Sequence, residues 1–265
     1  MKVCPLCGSE FNKCFTGKIL NRHEVQYYQC TECNFLQTEN PYWLAEAYSN
    51  VMNQEDTGML KRNIRFSQLT SIIINSYFNQ NALFVDYAGG YGIFTRLMRD
   101  LGYDYYWYDP FAQNILARGF EYQKEKHKSI ELLTCFESFE HFSSPIVEME
   151  KMISISKNIL FSTQFLPEPT PKIDKWWYYG LEHGQHVSFY TGKACQSLAI
   201  KFGLHFYSFG ELHLISQNPI NKVNAKCIVL LERWGMIRYL QSKRKSKVEE
   251  DYFMLGKKRN NEGYS

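Results

Sequence analysis

The chain has 265 residues, 45% of them hydrophobic, enough for one α/β domain and a small accessory module. Its net charge of only +3 argues against a dedicated nucleic-acid binder. No apolar run is long enough to span a membrane, and no signal peptide precedes Cys4, so the expected compartment is the cytoplasm.

The N-terminus carries Cys4-Pro5-Leu6-Cys7 and Cys30-Thr31-Glu32-Cys33, two C-x-x-C pairs with Gly8 just after the first. Paired thiolates two residues apart share one Zn²⁺ readily, and two pairs complete a tetrahedral site. The 22 residues between the pairs are bridged by a hairpin of Lys18–Leu20 and Val25–Tyr28. Four protein ligands leave no open position, so the expected Zn²⁺ is structural, with Cys4, Cys7, Cys30 and Cys33 as ligands. Residues 1–40 therefore read as a zinc-ribbon-like knuckle.

Residues 41–80 read as a helical linker. Trp43, Leu44, Ala47, Tyr48 and Val51 suit one helix, while Leu69, Ile72, Ile73, Tyr77 and Phe78 suit a second. Asp56-Thr57-Gly58 forms a turn between them, with Arg62 and Asn63 on the helix after it.

An apolar run, Leu83-Phe84-Val85, then ends in Asp86 and opens into Ala88-Gly89-Gly90-Tyr91-Gly92. The helical pattern of Ile93, Phe94, Leu97, Met98 and Leu101 follows. Strand, glycine turn and helix bring backbone close to a cofactor in doubly wound folds. The spacing is not the dinucleotide fingerprint, and an acid at the strand end repels a pyrophosphate. A second strand, Tyr103 to Tyr108, ends in Asp109, 17 residues beyond Gly92. An acid there can accept hydrogen bonds from both ribose hydroxyls. Apolar runs at Ile130–Cys135 and Ile159–Thr163 flank a helical pattern at 145–156, and a weak strand pattern falls near Gly119–Tyr122. Strands alternating with helices imply a mostly parallel sheet.

Asp86, Ala88, Gly90 and Gly92 resemble the first motif of the class I S-adenosylmethionine-dependent methyltransferases, D-x-G-x-G-x-G, with Ala88 at the first glycine. Alanine suits that position if its φ stays negative. Phe136-Glu137-Ser138-Phe139-Glu140-His141 is similar to a signature after the fourth strand in one methyltransferase group, lying at the methionine end of the cofactor. The resemblance covers roughly residues 80–232. It implies an α/β fold with a Rossmann-like sheet of seven strands, the last antiparallel. Leu204–Phe209 and Lys226–Glu232 are the expected final pair. It also implies S-adenosylmethionine as cofactor, bound by Asp86, Ala88, Gly90, Gly92, Asp109, Phe136 and Glu137. Residues 81–235 are then the methyltransferase domain. The linker resembles the lid of methyltransferases with a cysteine knuckle, which makes Tyr48, Asp56, Arg62 and Asn63 pocket candidates; a solvated helix surface is the other reading.

Beyond the fourth strand, Trp176-Trp177-Tyr178-Tyr179 leads to Glu182-His183-Gly184-Gln185-His186-Val187-Ser188-Phe189-Tyr190. Loops beyond strand ends bind ligands in this fold class, flat aromatic faces suit sugar rings, and imidazoles suit proton removal. His186 to Tyr190 resembles a segment of nucleotide-sugar C-methyltransferases and of polysaccharide-pathway methyltransferases. Gln185 stands where the former carry a catalytic glutamate. The implied acceptor is a sugar or nucleotide sugar, methylated at oxygen or carbon. His186, His183 and Glu182 are the catalytic candidates; a purely structural His186 is the alternative. Residues 236–265 form a basic tail (Arg238, Lys243, Arg244, Lys245, Lys247, Lys257, Lys258, Arg259), expected as a solvated helix with a frayed end or as a phosphate- or membrane-surface patch. An inactive scaffold and an RNA methyltransferase are the other functional readings.

Overall fold

The computed structural model describes residues 2–48, 56–236 and 244–261. From the N-terminus run β1 (Lys2–Val3), β2 (Glu10–Ile19), β3 (His23–Cys30) and β4 (Leu36–Thr38), then helices α1 (Leu44–Ala47) and α2 (Met59–Tyr77). β5 (Leu83–Tyr87), α3 (Ile93–Asp100), β6 (Asp104–Tyr108) and β7 (Ile130–Cys135) follow. Next come α4 (Pro145–Ile153), β8 (Ile159–Ser162), β9 (Ser188–Phe189) and α5 (Gly192–Lys201). β10 (His205–Phe209), β11 (Leu212–Ser216), α6 (Lys222–Arg233) and α7 (Val248–Asn261) complete the series. The larger sheet has the order β10-β11-β8-β7-β5-β6 and the smaller β1-β2-β3-β4-β9. The chain divides into two compact units, Met1–Asp56 with Cys135–Pro219, and Thr57–Thr134 with Ile220–Ser265. No helix among the described residues is long and apolar enough to cross a membrane.

In the first unit, β2 and β3 form the expected hairpin. Leu20 and Asn21 both take positive φ (53° and 58°) in the three-residue turn between the strands, closed by the Arg22 N–H donating to the Ile19 carbonyl at 3.1 Å. β4 pairs with β3, and β9 then pairs with β4 through Leu36↔Phe189 and Gln37↔Ser188. The small sheet is thus completed by a strand from the aromatic loop. Its core holds Ile19, Val25, Tyr27, Leu36, Trp43 and Val187 together with Trp176, Tyr178, Tyr179 and Phe189. The loop aromatics expected to face an acceptor are therefore mostly core; Trp177, 76% exposed, is the exception. Burying such rings is worth more than displaying them, at about 1.5–3 kcal/mol per large side chain.

β11 is antiparallel to both β8 and β10, so the inserted reversed strand is present, but at Leu212–Ser216. Lys226–Glu232, expected as that strand, lies on α6. Asn221 Oδ1 accepts from the Val223 and Asn224 N–H groups and starts the helix (2.9 and 3.5 Å). Ala225 and Ile228 are its buried residues, three apart as a helix face requires.

In the second unit β5 lies between β6 and β7, parallel to both. The weak strand pattern near Gly119–Tyr122 amounts to a single parallel bridge, Trp107↔Glu121. The larger sheet therefore has six strands among the described residues where seven are expected. In the tail, residues 237–243 (Arg238 and Lys243 among them) and 262–265 lie outside the described residues, and α7 is a mostly exposed helix anchored through one buried side chain. Asp251, 2% exposed, accepts from Arg99 Nη2 and Nε at 2.6 and 2.8 Å and from Arg96 Nη2 at 2.8 Å. Arg99 also stacks on Phe120, 3.8 Å from the ring centroid, and donates to the Tyr105 carbonyl.

Burial alone would push the Asp251 carboxyl up, but Arg99 and Arg96 outweigh it and hold it below its ordinary value of 3.8. A carboxylate depressed in the folded state stabilises fully above its unfolded value and loses that contribution as pH falls through the folded one. Asp251→Asn leaves Arg99 without its buried counter-ion and is expected to cost about 3–5 kcal/mol at neutral pH. Denaturant unfolding checks this: the gap from wild type should narrow below pH 3.8. A constant gap across that range would rule the ion pair out as its source.

Candidate functional site

Three clusters gather most of the predicted site residues. In the second unit, the turn after β5 is built by close approach. Gly92 N–H donates to the Gly89 carbonyl at 2.9 Å, and Gly90 and Gly92 take φ of 52° and 85°. A β-carbon at Gly89 would sit 2.7 Å from Trp107 Cδ1 and 2.8 Å from Asp86 Oδ2, so only glycine fits there. Nothing lies within 4 Å of the corresponding position at Gly90, the open side of the turn. Ala88 departs from the negative φ expected of it, at +56°. The left-handed region costs an L-residue about 1–2 kcal/mol. Ala88→Gly should therefore stabilise the protein by about 1 kcal/mol in a thermal melt, and a destabilised variant would show that the strain is not real.

Asp86 is buried. Its Oδ2 accepts from Thr95 Oγ1 at 2.9 Å and its Oδ1 from Thr134 Oγ1 at 3.2 Å, so the carboxyl braces the turn from beneath. Burial raises its pKa to about 7 against the pull of those hydroxyls. Asp109 sits across the turn. Its Oδ2 accepts from Gly90 N–H at 3.0 Å, and its Oδ1 from Phe111 and Ala112 N–H at 2.8 and 2.9 Å. Trp107 Nε1 donates to the Gly90 carbonyl at 2.9 Å. Asp86, Ala88, Gly90, Gly92 and Asp109 are thus brought together. Thr95, Trp107 and Thr134, which hold them, have no sequence signal of their own beyond lying on the adjoining elements.

In the first unit, the 3₁₀ turn Phe139–His141 meets the loop through a Val187 N–H donated to the Glu140 carbonyl at 2.8 Å. This places His141 and His186 5.1 Å apart between ring centroids, with His183 4.7 Å from His186. The ring protons are set by the partners. His186 Nδ1 lies 2.6 Å from the Tyr178 carbonyl, which can only accept, so the neutral ring keeps its lone pair on Nε2. His183 Nδ1 accepts from the Gln185 N–H at 3.1 Å, so its neutral ring carries the proton on Nε2. A β-carbon at Gly180 would overlap that end of the His183 ring. His141 Nδ1 lies 2.8 Å from the Tyr48 hydroxyl. Burial, reinforced by His183, lowers the His141 pKa to about 4, and burial with His141 lowers His186 well below its ordinary value. Glu140 is pushed the other way, to about 8, by burial and by Glu137.

The remaining predicted residues are distributed as follows. Glu182 is exposed in the turn before His183. Gln185 is buried and donates to the Ala47 carbonyl at 2.9 Å. Phe136 is half-buried, and Glu137 takes a φ of 51° while its Oε1 accepts from Ser162 Oγ at 2.6 Å. Asn63 donates to Met59 within its own helix, Tyr48 reaches His141, and Val51 lies outside the described residues. Glu140, part of the signature with Phe136 and Glu137, is buried; a carboxylate beside a helix start also reads as an ordinary cap.

The third cluster is also in the first unit. One Sγ each from Cys4, Cys7, Cys30 and Cys33 lies within 4.8 Å of all the others, with 3.7 Å between Cys4 and Cys33 and 3.3 Å between Cys7 and Cys30. Zn–S bonds of ~2.3 Å in a tetrahedron set the sulfurs about 3.8 Å apart. The Glu32 and Cys33 N–H groups point at Cys30 Sγ (3.4 and 3.5 Å), and Gly8 supplies the positive φ after the first pair. Donor set and spacing fit a structural Zn²⁺.

A family model described as a methyltransferase domain matches residues 62–208. Similar solved structures include a magnesium protoporphyrin IX methyltransferase (ChlM) from Synechocystis PCC 6803 with bound SAH. It shares 11% identity over 66% of this chain and 94% of that one, with a TM-score of 0.36. The mitomycin 7-O-methyltransferase MmcR shares 12% over 65% and 59%, at a TM-score of 0.47. The plantazolicin methyltransferase BpumL in complex with SAH shares 11% over 68% and 95%, at 0.43. No curated protein matches the chain.

Proposed function

The chain belongs to the family of methyltransferase domains, and from that premise we propose that it uses S-adenosylmethionine to methylate a sugar or nucleotide sugar in the cytoplasm. His186 takes the acceptor's proton. The observation that carries the reading is the imposed tautomer of His186, whose Nδ1–H is spent on the Tyr178 carbonyl. Of the two candidate imidazoles, His186 offers a lone pair at Nε2 and His183 does not. The bond to Tyr178 also fixes the loop, so the structural and catalytic readings of this residue coincide.

The turn after β5 suits the cofactor by its own chemistry. Asp109 holds a carboxylate at the end of β6 for ribose hydroxyls, Gly90 leaves backbone approachable, and Asp86 keeps the turn in shape. The cofactor, when bound, supplies an activated methyl group. The acceptor's hydroxyl or acidic C–H gives its proton to His186 Nε2, and burial keeps that nitrogen unprotonated and ready beforehand. The four cysteines would hold a structural Zn²⁺ at the end of β3.

Calorimetric titration of the full chain with S-adenosylmethionine and S-adenosylhomocysteine tests the cofactor assignment. Micromolar binding is expected. Asp109→Ala should weaken it roughly 10- to 150-fold, the worth of about 1.5–3 kcal/mol for hydrogen bonds to a charged group. Unchanged affinity in that variant removes Asp109 from the site. Nucleotide sugars are then screened for a gain of one methyl group, with fragment mass spectra separating oxygen from carbon.

A further inference from the structure

Glu140, His141 and His186 each offer one ligand atom, and these atoms all lie within 4.8 Å of one another. Glu140 is 1% exposed, and its Oε2 has no hydrogen-bond partner. An unpaired polar atom at that depth costs about 1–3 kcal/mol, and more when charged. We propose that Glu140, His141 and His186 form a second metal site, for a divalent transition ion such as Zn²⁺, Co²⁺ or Fe²⁺.

The donor set selects the class of ion. Two imidazoles with one carboxylate suit borderline transition metals, whereas Mg²⁺ and Ca²⁺ favour oxygen throughout. The outer contacts are those that ligating imidazoles require. His186 is oriented by the Tyr178 carbonyl at 2.6 Å and His141 by the Tyr48 hydroxyl at 2.8 Å. Bonds of ~2.0–2.2 Å place donors roughly 3–3.6 Å apart, so the three draw inward by about 1 Å at most from the present outer limit. Three protein ligands leave room for water or another oxygen, unlike the closed cysteine cluster.

One consequence rests on the base reading given above; the site itself does not. The lone pair His186 gives to an ion is the one it would give to the acceptor's proton. Occupancy and methyl transfer then exclude each other, and the metal is an inhibitor.

The test titrates Co²⁺ into the full chain after a single equivalent of Zn²⁺ has filled its cysteine cluster, followed by calorimetry and visible absorption. One further equivalent is expected, with d–d bands and no thiolate charge transfer. Glu140→Gln and His141→Asn should each weaken it at least 10-fold. No further equivalent in the wild type overturns the proposal, and so does an equivalent retained by both folded variants. Should neither variant fold, the paramagnetic NMR spectrum of the wild-type Co²⁺ form decides: hyperfine-shifted ring N–H signals support the site, and their absence sinks it. Co²⁺ that binds here without slowing methyl transfer leaves the site standing and overturns His186 as the base.

Discussion

Replacing His186 by alanine is expected to lower turnover by roughly 10²–10⁴-fold, the usual worth of a positioned general base. In activation energy that is about 3–5 kcal/mol, well beyond the effect of a surface change. Affinity for S-adenosylmethionine should stay within about twofold, because the predicted cofactor residues on the glycine turn keep their own hydrogen bonds. The variant also strands the Tyr178 carbonyl, so a modest loss of stability accompanies the loss of rate. Single-turnover kinetics at saturating cofactor, read beside a thermal melt, separates the two effects. Turnover that falls only in proportion to the folded fraction would reduce His186 to a loop anchor. His183→Ala is the internal control. Its neutral ring has no Nε2 lone pair to offer, so its effect should come through packing.

Removing zinc is the second large perturbation. Retained Zn²⁺ in the purified protein should be at least one per chain by colorimetric assay, and Cys33→Ser should lose one equivalent. An ion that binds only the folded form stabilises it by RT ln(1 + [L]/Kd), on the order of 4–8 kcal/mol for a tight structural site. A strong chelator should therefore lower the melting temperature steeply, and added Zn²⁺ should restore it. The cluster ties the turn after β1 to the end of β3, and β3 carries Val25 and Tyr27 into the core shared with Trp176 and Phe189. Indifference of the melting curve to chelator would mean that the four thiols need no metal to hold their places.

Much of this was readable beforehand, and the failures have physical causes. Leu83 to Gly92 announced strand, turn and helix because its apolar run, acid and glycines point to one geometry. The φ of Ala88 was out of reach, because a backbone angle forced by neighbours leaves no mark on composition. Lys226–Glu232 misled because a short apolar run satisfies a buried strand and a helix face alike. The real last strand hides His213, 1% exposed, which looks like a loop residue. Its ring escapes the cost of burial by pairing Nδ1 with Ser208 Oγ at 3.0 Å and Nε2 with the Thr163 carbonyl at 3.1 Å. The aromatic loop misled for the opposite reason. Trp176, Tyr178 and Tyr179 have the composition of a sugar-binding face, and the strand that draws them inward, β4, lies some 140 residues earlier. At the histidine cluster the residue types were legible, but the tautomers were not. They depend on Tyr178 and Gln185 backbone groups that only the folded loop positions.

The pairing of β9 with β4 limits how this loop can change. Phe189 is fully buried opposite Leu36, while His186 precedes it by three residues. Side chains along a strand alternate, so one residue gained or lost between His186 and Ser188 would move Phe189 to the opposite face of β9 or drag the imidazole out of place. Length variation that keeps both must fall before Tyr178, in the proline-rich stretch from Phe165 to Pro171 and the segment after it. Inserts have room to accumulate there without disturbing the proposed base.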